Sequence, residues 1–224
     1  MSYGAIVAVW NAVLTSVSDP FAVMNTIGLV AFALVGSSKA IREEFDLLGI
    51  AIVGLAMAFA GGVTRDLLVA RVPLALRSPS EIALGFLGVL LAIVLRMVLR
   101  SPDEHPITII ADAIGLAAFA TTGAIVATEA NVSAFGVVTI ATINAVGGGA
   151  FADILLDRSP FILFDDFYAS CAVFGGTAYV VVGALGAGGN TAAAICAVVT
   201  ATVRLVAVAQ NWELPTVQRL GLSK

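Results

Sequence analysis

From Phe21 to Ala209 the sequence is a succession of apolar runs, most of them about as long as a bilayer is thick, parted by short charged or proline-containing turns. A helix of roughly 20 apolar residues crosses the ~30 Å hydrocarbon core of a membrane. Inside that core every backbone N–H and C=O must be paired within the protein, which restricts spanning segments to helices or closed barrels. Runs of this length select helices, so the chain is expected to be an all-α membrane protein. Composition agrees: 60% of the 224 residues are hydrophobic and 12% charged, where soluble domains carry roughly 25% charged residues. The net charge of −4 resides in connecting loops and specifies no partner. No basic block interleaved with aromatic residues suggests nucleic acid.

The spans expected are 21–40, 47–68, 82–99, 107–127, 132–156, 167–185 and 191–209. Ser101–Pro106 is the most polar linker and the natural boundary between two halves. Residues 1–20 contain an apolar stretch too short to span and are read as an N-terminal extension; 210–224 form a polar tail. With no cationic leader before the first apolar run, no cleaved signal peptide is expected. Cys171 and Cys196 lie inside apolar runs and read as packing residues, and His105 as a loop residue. No catalytic residue, metal site or cofactor is expected. Bound membrane lipid is left open.

Two of the spans carry an unusual ending. Ala60-Gly61-Gly62-Val63-Thr64-Arg65-Asp66 recurs 87 residues later as Gly147-Gly148-Gly149-Ala150-Phe151-Ala152-Asp153. Glycine weakens a helix and admits another backbone at close range, and an ionisable group at that depth marks a function by default. Both spans are therefore expected to break at Gly61-Gly62 and Gly147-Gly148-Gly149, and paired broken helices of this kind point to a permeation or binding site at mid-membrane. Placing 24–73 on 111–160 without a gap gives 16 identities in 50 positions, among them Gly28/Gly115, Gly36/Gly123, Asp66/Asp153, Arg71/Arg158 and Pro73/Pro160.

A duplicated unit of three spans is odd in number, so the second copy must enter the membrane from the opposite side. The expected architecture is seven transmembrane helices: two inverted three-helix repeats, 21–100 and 107–185, and a seventh helix, 189–209, outside the symmetry. Loop charges orient it. Three Lys or Arg lie on the side of the N-terminus and eight on the other, counted from the eleven in the chain, which directs the C-terminus to the cytoplasm and the N-terminus outside.

The paired Ile-Gly-Leu-x-Ala-Phe-Ala segments at 27–33 and 114–120, each followed by a glycine cluster and Asp, resemble the prokaryotic trimeric intracellular cation (TRIC) channels over about residues 22–209. The resemblance implies a homotrimer in a prokaryotic cell membrane, with a pore in each subunit for monovalent cations, lined by glycine-kinked second and fifth helices. One departure stands out: Ala152 occupies the position where the family pattern has Arg, whereas Arg65 keeps it in the first copy.

The polar residues expected to line such a path are Asn25, Arg65, Asp66, Asp112, Thr139, Thr142, Asn144 and Asp153. Each has a structural alternative. Glycines let membrane helices pack closely, and Thr or Asn often bond between helices. Arg65-Asp66 could mark an interfacial helix end, and Asp112 could be a charge favoured near a helix N-terminus. Three functions compete. A cation channel follows from the resemblance. A secondary transporter, with its site at the repeat interface, is what inverted repeats with broken helices favour on physical grounds alone. An intramembrane aspartyl protease using Asp66 and Asp153 as a dyad is the weakest, because Arg65 adjoins Asp66.

Overall fold

The computed structural model describes residues 19–98, 106–163, 167–212 and 214. The N-terminal extension through Ser18, His105 and most of the polar tail lie outside the described residues. Those described are helical throughout: α1 Pro20–Arg42, α2 Leu47–Leu68, the short α3 Leu74–Arg77, α4 Pro79–Val98, α5 Pro106–Glu129, α6 Ala134–Leu155, a 3₁₀ turn Phe161–Leu163, α7 Tyr168–Ala184 and α8 Gly189–Ala209. Six of these are long and apolar enough to cross a membrane, and α7 is a shorter apolar helix of 17 residues. At 1.5 Å per residue the 22 residues of α2 and of α6 extend about 33 Å, a full hydrocarbon thickness.

Local chemistry sets the ends. Asp19, Asp46 and Ser133 accept a hydrogen bond from the first-turn N–H of Phe21, Gly49 and Gly136, filling donors that a helix start leaves open. The C-termini share one device. Glu44, Ala70, Asn131, Asp157 and Asn211 all adopt left-handed φ between 50° and 59°, and Gly186 one of 87°. The next residue then donates back to a carbonyl of the last turn, as Phe45 does to Ala40, Arg71 to Asp66 and Arg158 to Asp153. This closure satisfies carbonyls that the helix itself cannot. Only one of the six positions is the glycine that such a turn favours.

The centre is the crossing of α1 and α5. Phe32 and Phe119 meet edge to face with centroids 5.0 Å apart, and each ring lies over a glycine of the opposite helix, Phe119 on Gly28 and Phe32 on Gly115. Around this pair α1 packs on α2 and α4, α5 packs on α6, α7 and α8, and α2 crosses α6. Large apolar side chains such as Leu47, Leu87, Leu90, Phe135 and Val198 point outward, as a lipid-facing surface requires.

Both expected breaks are absent. α2 runs as unbroken helix through Gly61-Gly62, and α6 through Gly147-Gly148-Gly149. The glycines act by close approach instead: a Cβ at Gly61 would strike the carbonyl oxygen of Asn144, and one at Gly148 the carbonyl oxygen of Met57. Unwinding would leave carbonyls to be satisfied by something other than the helix. Packing two backbones against each other keeps those bonds and gains dispersion contact.

Candidate functional site

Asp66 and Asp153 sit in the last turns of α2 and α6, the end at which a helix dipole repels a negative charge. Both are buried. A carboxylate held there needs compensation, and each receives it in two parts. The first part is shared: Asp66 Oδ2 accepts the N–H of Leu74 at 2.8 Å, and Asp153 Oδ2 accepts that of Phe161 at 3.2 Å. The second part differs. Asp66 Oδ1 takes both Nε and Nη2 of its neighbour Arg65, at 2.8 and 2.7 Å. Asp153 Oδ1 takes the Nζ of Lys39 at 2.8 Å, from α1 and 114 residues away. Lys39 also stands 4.8 Å from the centre of the Phe161 ring. Position 152 carries no cation, so one arrives from another helix.

Each carboxylate faces a cavity. At the Asp153 end a space of about 550 Å³ is lined by Lys39, Arg42, Asp112, Asp153, Arg158 and Arg204, among others. Here Tyr168 donates to Asp112 at 2.9 Å, Arg204 approaches the same carboxylate at 3.5 Å, and Arg158 pairs with Glu43. The Arg158 guanidinium lies below its ordinary pKa, through desolvation first and the nearby Arg42 charge second. At the opposite end a space of about 200 Å³ is lined by Asp19, Phe21, Arg65, Asp66, Arg71, Arg77 and Glu129. Between them Phe32, Met57, Phe119 and Asn144 are buried and close-packed, separating the two.

The expected polar residues divide. Asn25 is buried and donates to Glu81 at 2.6 Å beside the Arg65-Asp66 pair, and Asp112 lines the larger cavity two turns into α5. Asn144 lies fully buried at the helix crossing. Thr139 and Thr142 are not brought in with them: each hydroxyl closes on the carbonyl four residues back in α6, and neither lines a described cavity. Sequence reasoning missed Lys39, Glu81, Tyr168 and Arg204. The repeat held a clue to two of them, since shifting the Asn25–Glu81 contact by 87 residues gives the Asp112–Tyr168 contact. Asp66 and Asp153, lining cavities at opposite ends, cannot act as a protease dyad in this arrangement.

The chain matches the family model described as Glycine transporter over residues 22–97 and 109–184. It is 31% identical over 194 residues to the UPF0126 membrane protein YvgT of Bacillus subtilis, across 86% of this chain and 94% of that one. Among solved structures it is similar to one described as the structural basis for conductance through TRIC cation channels: 35% identity, TM-score 0.80, 87% of this chain and 95% of that chain. A second is the TRIC trimeric intracellular cation channel orthologue from Rhodobacter sphaeroides, with 25% identity and TM-score 0.79, over 86% and 98% of the two chains.

Proposed function

The chain belongs to the family of integral membrane proteins that unites the UPF0126 proteins, the Glycine transporter model and the prokaryotic TRIC channels, and on that premise we propose that it is a monovalent cation channel, passing K⁺ or Na⁺ through a path within each subunit. The observation that carries the reading is the placement of Asp66 and Asp153. Two buried carboxylates, each at the unfavourable end of a helix, line cavities that open toward opposite ends of one bundle. Each also ties down the turn that follows its helix, through Leu74 or Phe161, but a cation leaving its hydration shell needs negative potential and oxygen ligands on both sides of a barrier, and these two carboxylates would supply it.

The path runs beside the α2–α6 crossing, in a frame of two inverted three-helix repeats, α1-α2-α4 and α5-α6-α7, with α8 outside them. Reciprocal contacts support that symmetry. In a two-fold arrangement, if one residue meets a second, their equivalents meet in reverse. Gly61 meets Asn144 and Gly148 meets Met57; Gly28 meets Phe119 and Gly115 meets Phe32. All four pairs obey the 87-residue shift. In this reading, bending at the glycines would open the packed centre to ions. The Asp153 end, richer in Lys and Arg, faces the cytoplasm of a prokaryotic cell membrane, and the protein assembles as a homotrimer, as the TRIC relatives' name states of them.

A secondary transporter is the second reading. The family description favours it, as do two unequal cavities separated by a packed centre, the geometry that alternating access uses. Purified protein separates the two. Unitary current steps in planar bilayers, with no uptake of labelled glycine into liposomes, support the channel; gradient-coupled glycine uptake without unitary currents refutes it.

A further inference from the structure

The two copies of the sequence repeat each carry one polar contact at the same pair of positions. In the first copy Asn25 of α1 donates to Glu81 Oε2 of α4 at 2.6 Å; in the second, Tyr168 of α7 donates to Asp112 of α5 at 2.9 Å. Donor and carboxylate have changed sides between the copies, but each copy keeps one carboxylate there. What else the two carboxylates meet is different. Arg204 of α8 approaches Asp112 at 3.5 Å, whereas Glu81 forms no ion pair among the described residues.

Every other carboxylate lining one of these cavities has a cation or a helix start to itself. Arg65 grips Asp66, Lys39 meets Asp153, and Arg71 pairs with Glu129 at 3.1 Å. Asp19 caps α1 through the Phe21 N–H. Half-buried Glu81 has a neutral amide on Oε2 and no described donor on Oε1. Its place in the first turn of α4 favours the ionised form, because a helix start carries partial positive charge. Asn25 and Glu81 line a space of about 20 Å³ together with Arg65, Asp66 and Gly62, room for about one water molecule. Arg65, Asp66 and Leu74 line both this space and the 200 Å³ cavity, so Glu81 stands directly behind the ion pair.

The ionisable groups lining these two spaces are Asp19, Asp66, Glu81 and Glu129 against Arg65, Arg71 and Arg77. Without Glu81 the three carboxylates and three guanidiniums balance. The 550 Å³ cavity at the other end sets Lys39, Arg42, Arg158 and Arg204 against Asp112 and Asp153, and it stays positive even with Glu43, the partner of Arg158, included. We propose that Glu81 sets the charge selectivity of the path: it is the interior carboxylate whose charge no cation cancels, and it draws K⁺ or Na⁺ into the Asp66 end. This rests on the channel reading and deepens it. Asp66 shares its charge with Arg65, so the net field at that end is the field of Glu81. In surroundings poor in water a unit charge is felt across more than one layer of side chains, and Glu81 acts on an ion in the 200 Å³ cavity without touching it.

The test is the K⁺ to Cl⁻ permeability ratio, read from the reversal potential of unitary currents of the purified full chain across a KCl gradient. Glu81→Gln keeps the size of the side chain and an oxygen for Asn25, and should lower the ratio about tenfold. Its unitary conductance should fall further in dilute than in concentrated KCl, because salt screens a fixed charge. Glu81→Asp, which keeps the charge, should stay close to the parent on both readouts. Should Glu81→Gln not fold, Glu81→Ala should show the same loss of selectivity. A ratio unchanged in the neutral variants, or one that Glu81→Asp lowers as far as they do, overturns the role of Glu81 and leaves the channel reading standing on the parent's currents. A parent protein without unitary currents sinks the channel reading and the selectivity role with it.

Discussion

The two ends of the bundle solve one problem in two ways. At the Asp66 end the cation is adjacent in sequence, a guanidinium gripping one carboxylate oxygen with two donors, both side chains nearly sealed from solvent. At the Asp153 end it is a lysine from α1 that makes one contact, keeps 20% of its side chain exposed and borders the larger cavity. Arg and Lys are not equivalent here: the planar fork is rigid and weakly hydrated, the ammonium compact, mobile and readily solvated. The difference teaches that matched positions in a repeated sequence can be satisfied by partners of different kinds. The α2 end is a tight closure, the α6 end a loose one.

The largest effect should come from removing the two carboxylates in turn. Asp66→Asn strands a buried guanidinium, and breaking a buried pair in this way typically destabilises by about 3–5 kcal/mol. Asp153→Asn frees a lysine that can turn into the 550 Å³ cavity, so about 1 kcal/mol or less is expected, with a fall in cation conductance instead. Equal losses in unfolding temperature would erase the contrast between the ends.

Adjacent glycines of α6 should separate next. Gly148→Ala drives a methyl into the Met57 carbonyl and should cost about 1–3 kcal/mol by overpacking. Gly149→Ala meets only the Phe161 ring at 3.6 Å and should be neutral, or stabilising by up to about 1 kcal/mol through helix propensity. Thermal unfolding of the pair decides whether close approach or helix flexibility explains the cluster. Gly148→Leu, bulkier still, should abolish unitary currents in any protein that folds.

Lys39→Met should raise unitary conductance several-fold by leaving the Asp153 carboxylate to the permeant ion; a drop would make Lys39 a support rather than a brake. Combining it with Ala152→Arg should convert the loose end to the tight kind and return conductance toward or below the original value. The smallest effect expected is from Thr139→Val, since that hydroxyl is satisfied within its own helix: conductance within about twofold of the parent, as single-channel recording would check.

Much of this plan was legible in the chain. The apolar runs fell within a few residues of the helix ends, and the 87-residue interval recurs in contacts that no single run could reveal, such as Leu74 to Asp66 and Phe161 to Asp153. Asp66, Asp153, Asn25 and Asn144 stood out because polar groups in apolar helices are conspicuous. What remained hidden depended on partners from other elements. Lys39 passed unnoticed because nothing local ties it to a residue 114 positions away, and Glu81 because its partner Asn25 lies on α1, 56 residues earlier. The glycine clusters misled for another reason. Glycine permits both an unwound turn and a close crossing, and only the opposing carbonyls of Met57 and Asn144 decide between them. Between the second and third expected spans, Leu74–Arg77 folds a single turn, α3, whose first N–H holds Asp66.

The most direct measurement is the reversal potential of unitary currents across a KCl gradient, with purified protein in planar bilayers. A cation path lined by Asp66 and Asp153 predicts reversal close to the K⁺ Nernst potential, displaced toward zero by Asp153→Asn. Reversal at the Cl⁻ potential, or one that Asp153→Asn leaves untouched, would contradict it.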